Sequence, residues 1–280
     1  MLSPNLEKQW SDLCYSVYPK RITASLIDND DGFLTFLAKN RLDHCFALKY
    51  KTNKELLYQY EEYKKKIIAS LRILKRNLAK KSFLVIKTFS SYPHTTSDLD
   101  IIVKDESTAQ KNNKLQLLIP YDINHKISWT NDEEMSHNFI WNNAQEYDFH
   151  GIKVLIPNPA LDVLIRTAHL PFEQAELRLG ELLHIYKQSK KIQWEVLDKE
   201  AVLNGWGRTF RQTKNLFDSL HKRLFKKTDS IHFPYRLSSI QLAQAVVEKK
   251  AWSKIWGARY IIKDRLFNSL LKAKIPFLSK

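Results

Sequence analysis

In the run Ser97-Asp98-Leu99-Asp100-Ile101-Ile102-Val103, two carboxylates stand two residues apart, at the head of an apolar stretch. On a strand, residues i and i+2 face the same way. Asp98 and Asp100 therefore lie side by side, with Leu99, Ile101 and Val103 on the opposite face. Adjacent like charges repel, and a divalent cation between them relieves the repulsion. Magnesium or manganese suits such hard oxygen ligands, and substrate phosphates complete its shell. The loop before the pair carries hydroxyls at Thr88, Ser90, Ser91, Thr95, Thr96 and Ser97, groups that with their N–H donors suit a triphosphate. Asp-x-Asp alone is common, and its plain reading is a turn followed by a surface strand. Its position after a hydroxyl-rich turn, in a chain with few strands, is what favours the metal reading.

The remaining reactive residues offer less. Of nine histidines, His94 reads as a solvent-facing turn residue, and His125 points away from the face shared by Asp122 and Asn124. His169 and His184 fall in apolar helical stripes and read as core histidines. No H-E-x-x-H pair supports zinc hydrolysis. Two cysteines, Cys14 and Cys45, are too few for a disulfide framework or a thiolate zinc site, which places the chain in a reducing cytoplasm. No targeting segment or transmembrane run is expected.

Positioning the carboxylates falls to a few elements. Strands are expected at Phe83–Ile86, Leu99–Val103, Leu117–Asn124 (starting late because of Pro120) and Ile152–Ile156. Helical spacing fills the chain before and after them. It predicts helices over 31–40, 43–50 and 53–79, then from Asn158 through Ala168, and over 173–188, 194–204, 208–225 and 239–271. The fold class is α+β with a small mixed central sheet. The chain divides into an N-terminal helical region (1–81), a core (82–158) and a basic C-terminal helical region (159–280), with a seam between Asn158 and Pro171.

Together these segments resemble the nucleotidyltransferase superfamily, whose signature is a strand, a Gly-[Gly/Ser] turn and then Asp-h-Asp on the next strand, h being apolar. Ile86-Lys87-Thr88, Asp98-Leu99-Asp100-Ile101-Ile102-Val103, Asp122-Ile123-Asn124-His125 and Gly151-Ile152-Lys153-Val154-Leu155-Ile156-Pro157 are similar to the uncharacterised nucleotidyltransferase-like proteins of bacteria and archaea. The likeness covers roughly residues 30–190. It implies the polymerase-β-like fold, with Asp98 and Asp100 as metal carboxylates and Asp122 as a third acid on the neighbouring strand. It also implies a nucleoside triphosphate substrate near Lys87, Thr88, Ser90 and Ser91, and Mg2+ or Mn2+ as cofactor. Lys87 either reaches phosphate or braces the acids, and its plain reading is a strand-end lysine in solvent. Two positions depart from the pattern: Thr88 replaces a glycine that lets backbone approach phosphate, and Asn124 stands where the group often has His.

Charge points to the partner. The formal charge is +15 with pI about 9.6, and residues 205–280 carry 17 Lys+Arg against 4 Asp+Glu. Such an excess favours a polyanion, RNA or DNA. Lys249, Lys250, Lys254, Arg259 and Lys263 interleave with Trp252, Trp256 and Tyr260, an aromatic stripe that is either core or a base-stacking platform. The expected function is metal-dependent nucleotidyl transfer to an RNA, tRNA included, or protein acceptor. The alternative is a catalytically degenerate relative that binds nucleic acid through its basic helices.

Overall fold

The computed structural model describes residues 31–51, 53–78, 82–129, 132–226 and 233–249. Three helices open the described chain: α1 (Asp31–Lys39), α2 (Asp43–Tyr50) and α3 (Lys54–Asn77). Asn53 caps α3 by accepting the Leu56 N–H. After them come β1 (Phe83–Ile86), β2 (Leu99–Val103), α4 (Glu106–Asn112), β3 (Tyr121–Asn124), the short ribbon β4 (Ser128–Trp129) and β5 (Asp132–Glu133), and α5 (His137–Asn142). The hairpin β6 (Ala144–Phe149) and β7 (Ile152–Pro157) leads into α6 (Pro159–His169). Asn158 caps α6, and Pro159 occupies its first turn, where no N–H is needed. A π-helical turn (Leu170–Gln174), β8 (Glu176–Leu177), α7 (Leu179–Ser189), α8 (Trp194–Leu203), α9 (Gly207–Lys226), β9 (Tyr235–Arg236) and α10 (Ser239–Glu248) complete the order.

The central sheet has five strands in the order β3-β2-β1-β7-β6 and is mixed: β1 runs antiparallel to β2 and parallel to β7, and β2 runs parallel to β3. Its two faces are covered by different elements, as the strand period of two requires. Phe83, Val85, Leu99, Ile101, Val103, Ile123 and Val154 pack with Ile67, Leu71 and Leu74 of α3. Leu84, Ile86 and Ile102 join a larger cluster that runs from Phe33 and Phe46 through Leu164 and Leu183 to Trp206 and Ala245. That cluster crosses all three of the stretches divided above, and the stretch expected to be a seam is buried along most of α6.

Candidate functional site

Asp100 shares its face of β2 with Ile102 and so points away from α3, while Leu99, Ile101 and Val103 pack beneath. The parallel pairing of β2 and β3 sets Asp100 directly beside Asp122. Asp98, Asp100 and Asp122 all line one cavity of about 350 Å3, together with Arg41, Lys87, Thr88, Thr96, Ser97, Arg166, His169 and Glu173. The loop entering β2 is held locally. Ser97 Oγ donates to Asp98 Oδ1 (2.9 Å), Thr96 Oγ1 donates to the Asp98 carbonyl (2.8 Å), and Tyr63 of α3 accepts the Thr96 N–H (3.2 Å). Asn124 donates to Asp122 Oδ2 at 2.7 Å.

Lys87 closes the cavity at the end of β1. Its φ is +60°, and the Thr88 N–H donates back to the Ile86 carbonyl at 2.7 Å. This three-residue turn with a positive central φ is strained for a side-chain-bearing residue. It delivers the ammonium to 3.1 Å from Asp100 Oδ2 and 3.8 Å from Glu173 Oε2. Burial raises the Asp100 carboxyl above its usual range. Lys87 pulls it down and Asp98 pushes it further up.

The loop that follows is anchored from the helices. Arg166 Nη2 donates to the Lys87 carbonyl (3.4 Å) and to Ser90 Oγ (3.1 Å), and Arg166 Nε donates to Asp162 Oδ1 (3.1 Å). The Ser91 N–H donates to His184 Nδ1 at 2.9 Å, so Nδ1 carries a lone pair and Nε2 holds the proton directed at Asp162 Oδ2. Burial works to raise the Asp162 carboxyl, but Arg166 and His184 outweigh it and hold it at about 2.

Several expectations are corrected. Ser90 and Ser91 lie outside the carboxylate cavity, because Arg166 and His184 hold them. Thr88 lines it but is buried, and both its N–H and its hydroxyl are spent on the Ile86 carbonyl. His94 is buried against Tyr92 rather than solvent-facing, and burial followed by Arg166 and Arg41 pushes its pKa down to about 3. His169 borders the cavity and pairs with Glu173 instead of sitting in the core. Lys249 is turned inward, its ammonium donating to the carbonyls of Glu133 and Asn204 (3.0 Å to the latter), so it is a structural lysine. Lys250, Lys254, Arg259 and Lys263 lie outside the described residues. Arg41, Arg166, His169 and Glu173 went unread as site residues, although the four-residue spacings of Asp162 to Arg166 and His169 to Glu173 are helical-pair signals.

The donor set of Asp98, Asp100 and Asp122 is of the hard-oxygen kind that a divalent cation takes. Among the described residues, no group of three or more His, Cys, Asp or Glu is drawn together tightly enough to hold one. In this arrangement the Lys87 ammonium supplies the countercharge at Asp100. Compared with protein-family models, curated proteins and solved structures, the chain matches none. No helix among the described residues is long and apolar enough to cross a membrane.

Proposed function

We propose that the chain is a metal-dependent nucleotidyltransferase of the polymerase-β-like fold, acting on a nucleoside triphosphate and a hydroxyl of an RNA or protein acceptor. The observation that carries this reading is the pairing of Asp100 with Asp122 across parallel strands, with Asp98 beside them, on one wall of a polar cavity whose other walls hold Lys87, Arg41 and Arg166. Asp98, Asp100 and Asp122 offer carboxylate oxygens that magnesium or manganese would take only together with phosphate oxygens of the bound triphosphate, and the ion would supply Lewis acidity there. Lys87 and Arg41 orient the triphosphate and offset its charge. The acceptor oxygen attacks the α-phosphorus, the bond from that phosphorus to the bridging oxygen of the β-phosphate breaks, and pyrophosphate leaves with the bonding pair. Asp122, the most exposed of the three, takes the hydroxyl proton.

A second reading, a catalytically degenerate relative, is favoured by Thr88, whose donors are spent on Ile86, and by the Lys87 contact with Asp100. The two separate when the protein is incubated with each α-labelled nucleoside triphosphate, magnesium or manganese, and total RNA and protein. Transfer of label that is lost in Asp98→Asn supports the enzyme. No labelled product with any nucleotide supports the degenerate relative.

A further inference from the structure

The polar contacts that hold the loop after β1 include one set that the nucleotidyl-transfer chemistry does not use. Ser91 Oγ lies 3.0 Å from His184 Nδ1, and His184 Nε2 pairs with Asp162 Oδ2. Because Nδ1 carries the lone pair, the Ser91 hydroxyl donates to it, and the carboxylate holds the proton on Nε2. This is the arrangement of an activated serine: a hydroxyl on a base, and the base oriented by a third group. Burial pushes the His184 pKa down, with Asp162 opposing it, so the ring is kept in the neutral form that accepts a proton. Asp162, held at about 2, stays ionised and stabilises the imidazolium that such a transfer creates. Anchoring the loop does not require the hydroxyl, since the Ser91 N–H already donates to the same nitrogen at 2.9 Å and Arg166 holds Ser90.

Ser91 is half-buried and borders two small cavities. One, of about 180 Å3, is lined also by Asp162, by the apolar groups of Ile156 and Pro159, and by Gln188 and Lys191. Gln188 follows His184 by one turn of α7, which puts the two on the same helix face. The Gln188 amide and the Lys191 ammonium give that wall hydrogen-bond donors for an oxyanion. The other cavity, of about 240 Å3, has aromatic walls at Tyr60, Phe89, Tyr147 and Phe149, which suit a short apolar acyl chain.

We propose that Ser91 is a nucleophile for small carboxylic esters, with His184 as its base and Asp162 as the residue that positions the base. Ser91 Oγ bonds to the ester carbonyl carbon as its proton passes to His184 Nδ1. The tetrahedral adduct then collapses: the carbonyl re-forms, the bond from carbon to the alcohol oxygen breaks, and the alcohol leaves with the bonding pair and the proton from Nδ1. Water repeats the sequence on the acyl-serine, releasing the carboxylic acid and restoring Ser91. Neither nucleotide nor metal takes part, so the assignment stands apart from the transferase reading. Because Nδ1 is shared with the Ser91 N–H, slow turnover is expected.

The test uses the full-length protein in EDTA with a fluorophosphonate and with p-nitrophenyl butyrate, the modified serine being located by mass spectrometry. General-base assistance is worth at least about a hundredfold, so the fluorophosphonate should modify Ser91 faster by that factor than Ser82, an exposed serine just before β1. Ser91→Ala should abolish the labelling at 91 and reduce p-nitrophenolate release to the rate of the free ester. His184→Gln should slow both reactions by about a hundredfold or more. Should His184→Gln fail to fold, the parent carries the test alone, and the excess of Ser91 over Ser82 should vanish in urea. An unmodified Ser91, a rate no greater than that of Ser82, an excess that persists in urea, or ester cleavage that Ser91→Ala leaves unchanged overturns the assignment. So does a folded His184→Gln that is labelled at the parental rate.

Discussion

Lys87 sits where three demands meet: a strained left-handed turn, a contact with Asp100, and a carbonyl held by Arg166. A left-handed conformation at a residue with a Cβ costs on the order of 1 kcal/mol and persists only where surrounding contacts hold it. Here the ammonium contact with a half-buried carboxylate is one such contact. Lys87→Met should therefore lower stability by about 1 kcal/mol in urea denaturation and raise the Asp100 pKa further, since the main group lowering it is gone. An unchanged denaturation midpoint would remove Lys87 from that role. Asp98→Asn and Asp100→Asn should each reduce transfer at least about a hundredfold, the scale of losing several kcal/mol of metal-assisted stabilisation. Asp100→Asn should also leave stability at pH 7 unchanged or raised, because burial already disfavours the charged carboxyl. Full transfer activity in either variant would sink the enzyme reading. The acids themselves were legible in sequence, since a period of two on an apolar strand fixes which way Asp98 and Asp100 face. Arg41 and Arg166 were not. Arg41 reaches the cavity from the turn between α1 and α2 and Arg166 from α6, and no local pattern records which distant segment will pack against a strand end.

The elements that shape the cavity are joined by buried polar contacts more than by loops. Asn40, at the end of α1, accepts the Gly180 N–H with its carbonyl (3.2 Å) and the Leu179 N–H with its side chain (3.0 Å), so it caps the start of α7. Arg41 follows directly and reaches Glu181 on the same turn. Glycine at 180 is what lets the backbones approach: a Cβ there would lie 2.5 Å from Tyr92 Oη and 2.8 Å from the Asn40 carbonyl. Gly180→Ala should cost about 1–3 kcal/mol by overpacking and should weaken nucleotide binding with it, because the shift propagates to Arg41. Calorimetry and nucleotide titration check both, and a parental Tm would show that the contact relaxes freely. Asp162→Ala should cost about 3–5 kcal/mol, since it leaves Arg166 buried without its carboxylate and His184 without its acceptor. The four anticipated strands all form, and Pro120 delays β3 to Tyr121 as its missing N–H requires. The strand β6 was missed because Gln145, Glu146, Tyr147 and Asp148 are exposed at the sheet edge, so no alternation of burial marks it. The helix expected from 173 starts only at Leu179, because the π-helical turn and β8 take up the residues before it.

Across the whole molecule, burial of ionisable groups sets opposing pH trends. Glu134 is 1% exposed, and its carboxyl is raised to about 8 by burial and by Glu173, against the pull of Lys249 and Lys87. Its folded pKa therefore exceeds the unfolded value of about 4.3. Between these limits the folded state binds more protons than the unfolded, so this group's contribution to stability declines as pH rises through about 4.3 to 8. His94 works from the other side. Its folded pKa of about 3 lies below the unfolded value of about 6.5, so the stability tied to its neutral form is lost as pH falls below that unfolded value. The two trends oppose each other over roughly pH 4.3–6.5, and Glu134 acts alone above that window. Glu134→Gln removes the upper trend while nearly conserving shape. The backbone around it stays tied, because Trp206 Nε1 donates to the Glu134 carbonyl at 2.6 Å and Lys249 donates to that of Glu133. Urea denaturation from pH 5 to 8.5 should show the parent losing stability above about pH 6.5. The variant should be more stable than the parent at pH 8, with a flatter upper limb and a steeper rise between pH 5 and about 6.5, where the His94 trend is no longer opposed by that of Glu134. A variant whose profile declines in parallel with the parent would mean that Glu134 is already ionised in the folded protein, and that the pH response comes from another group.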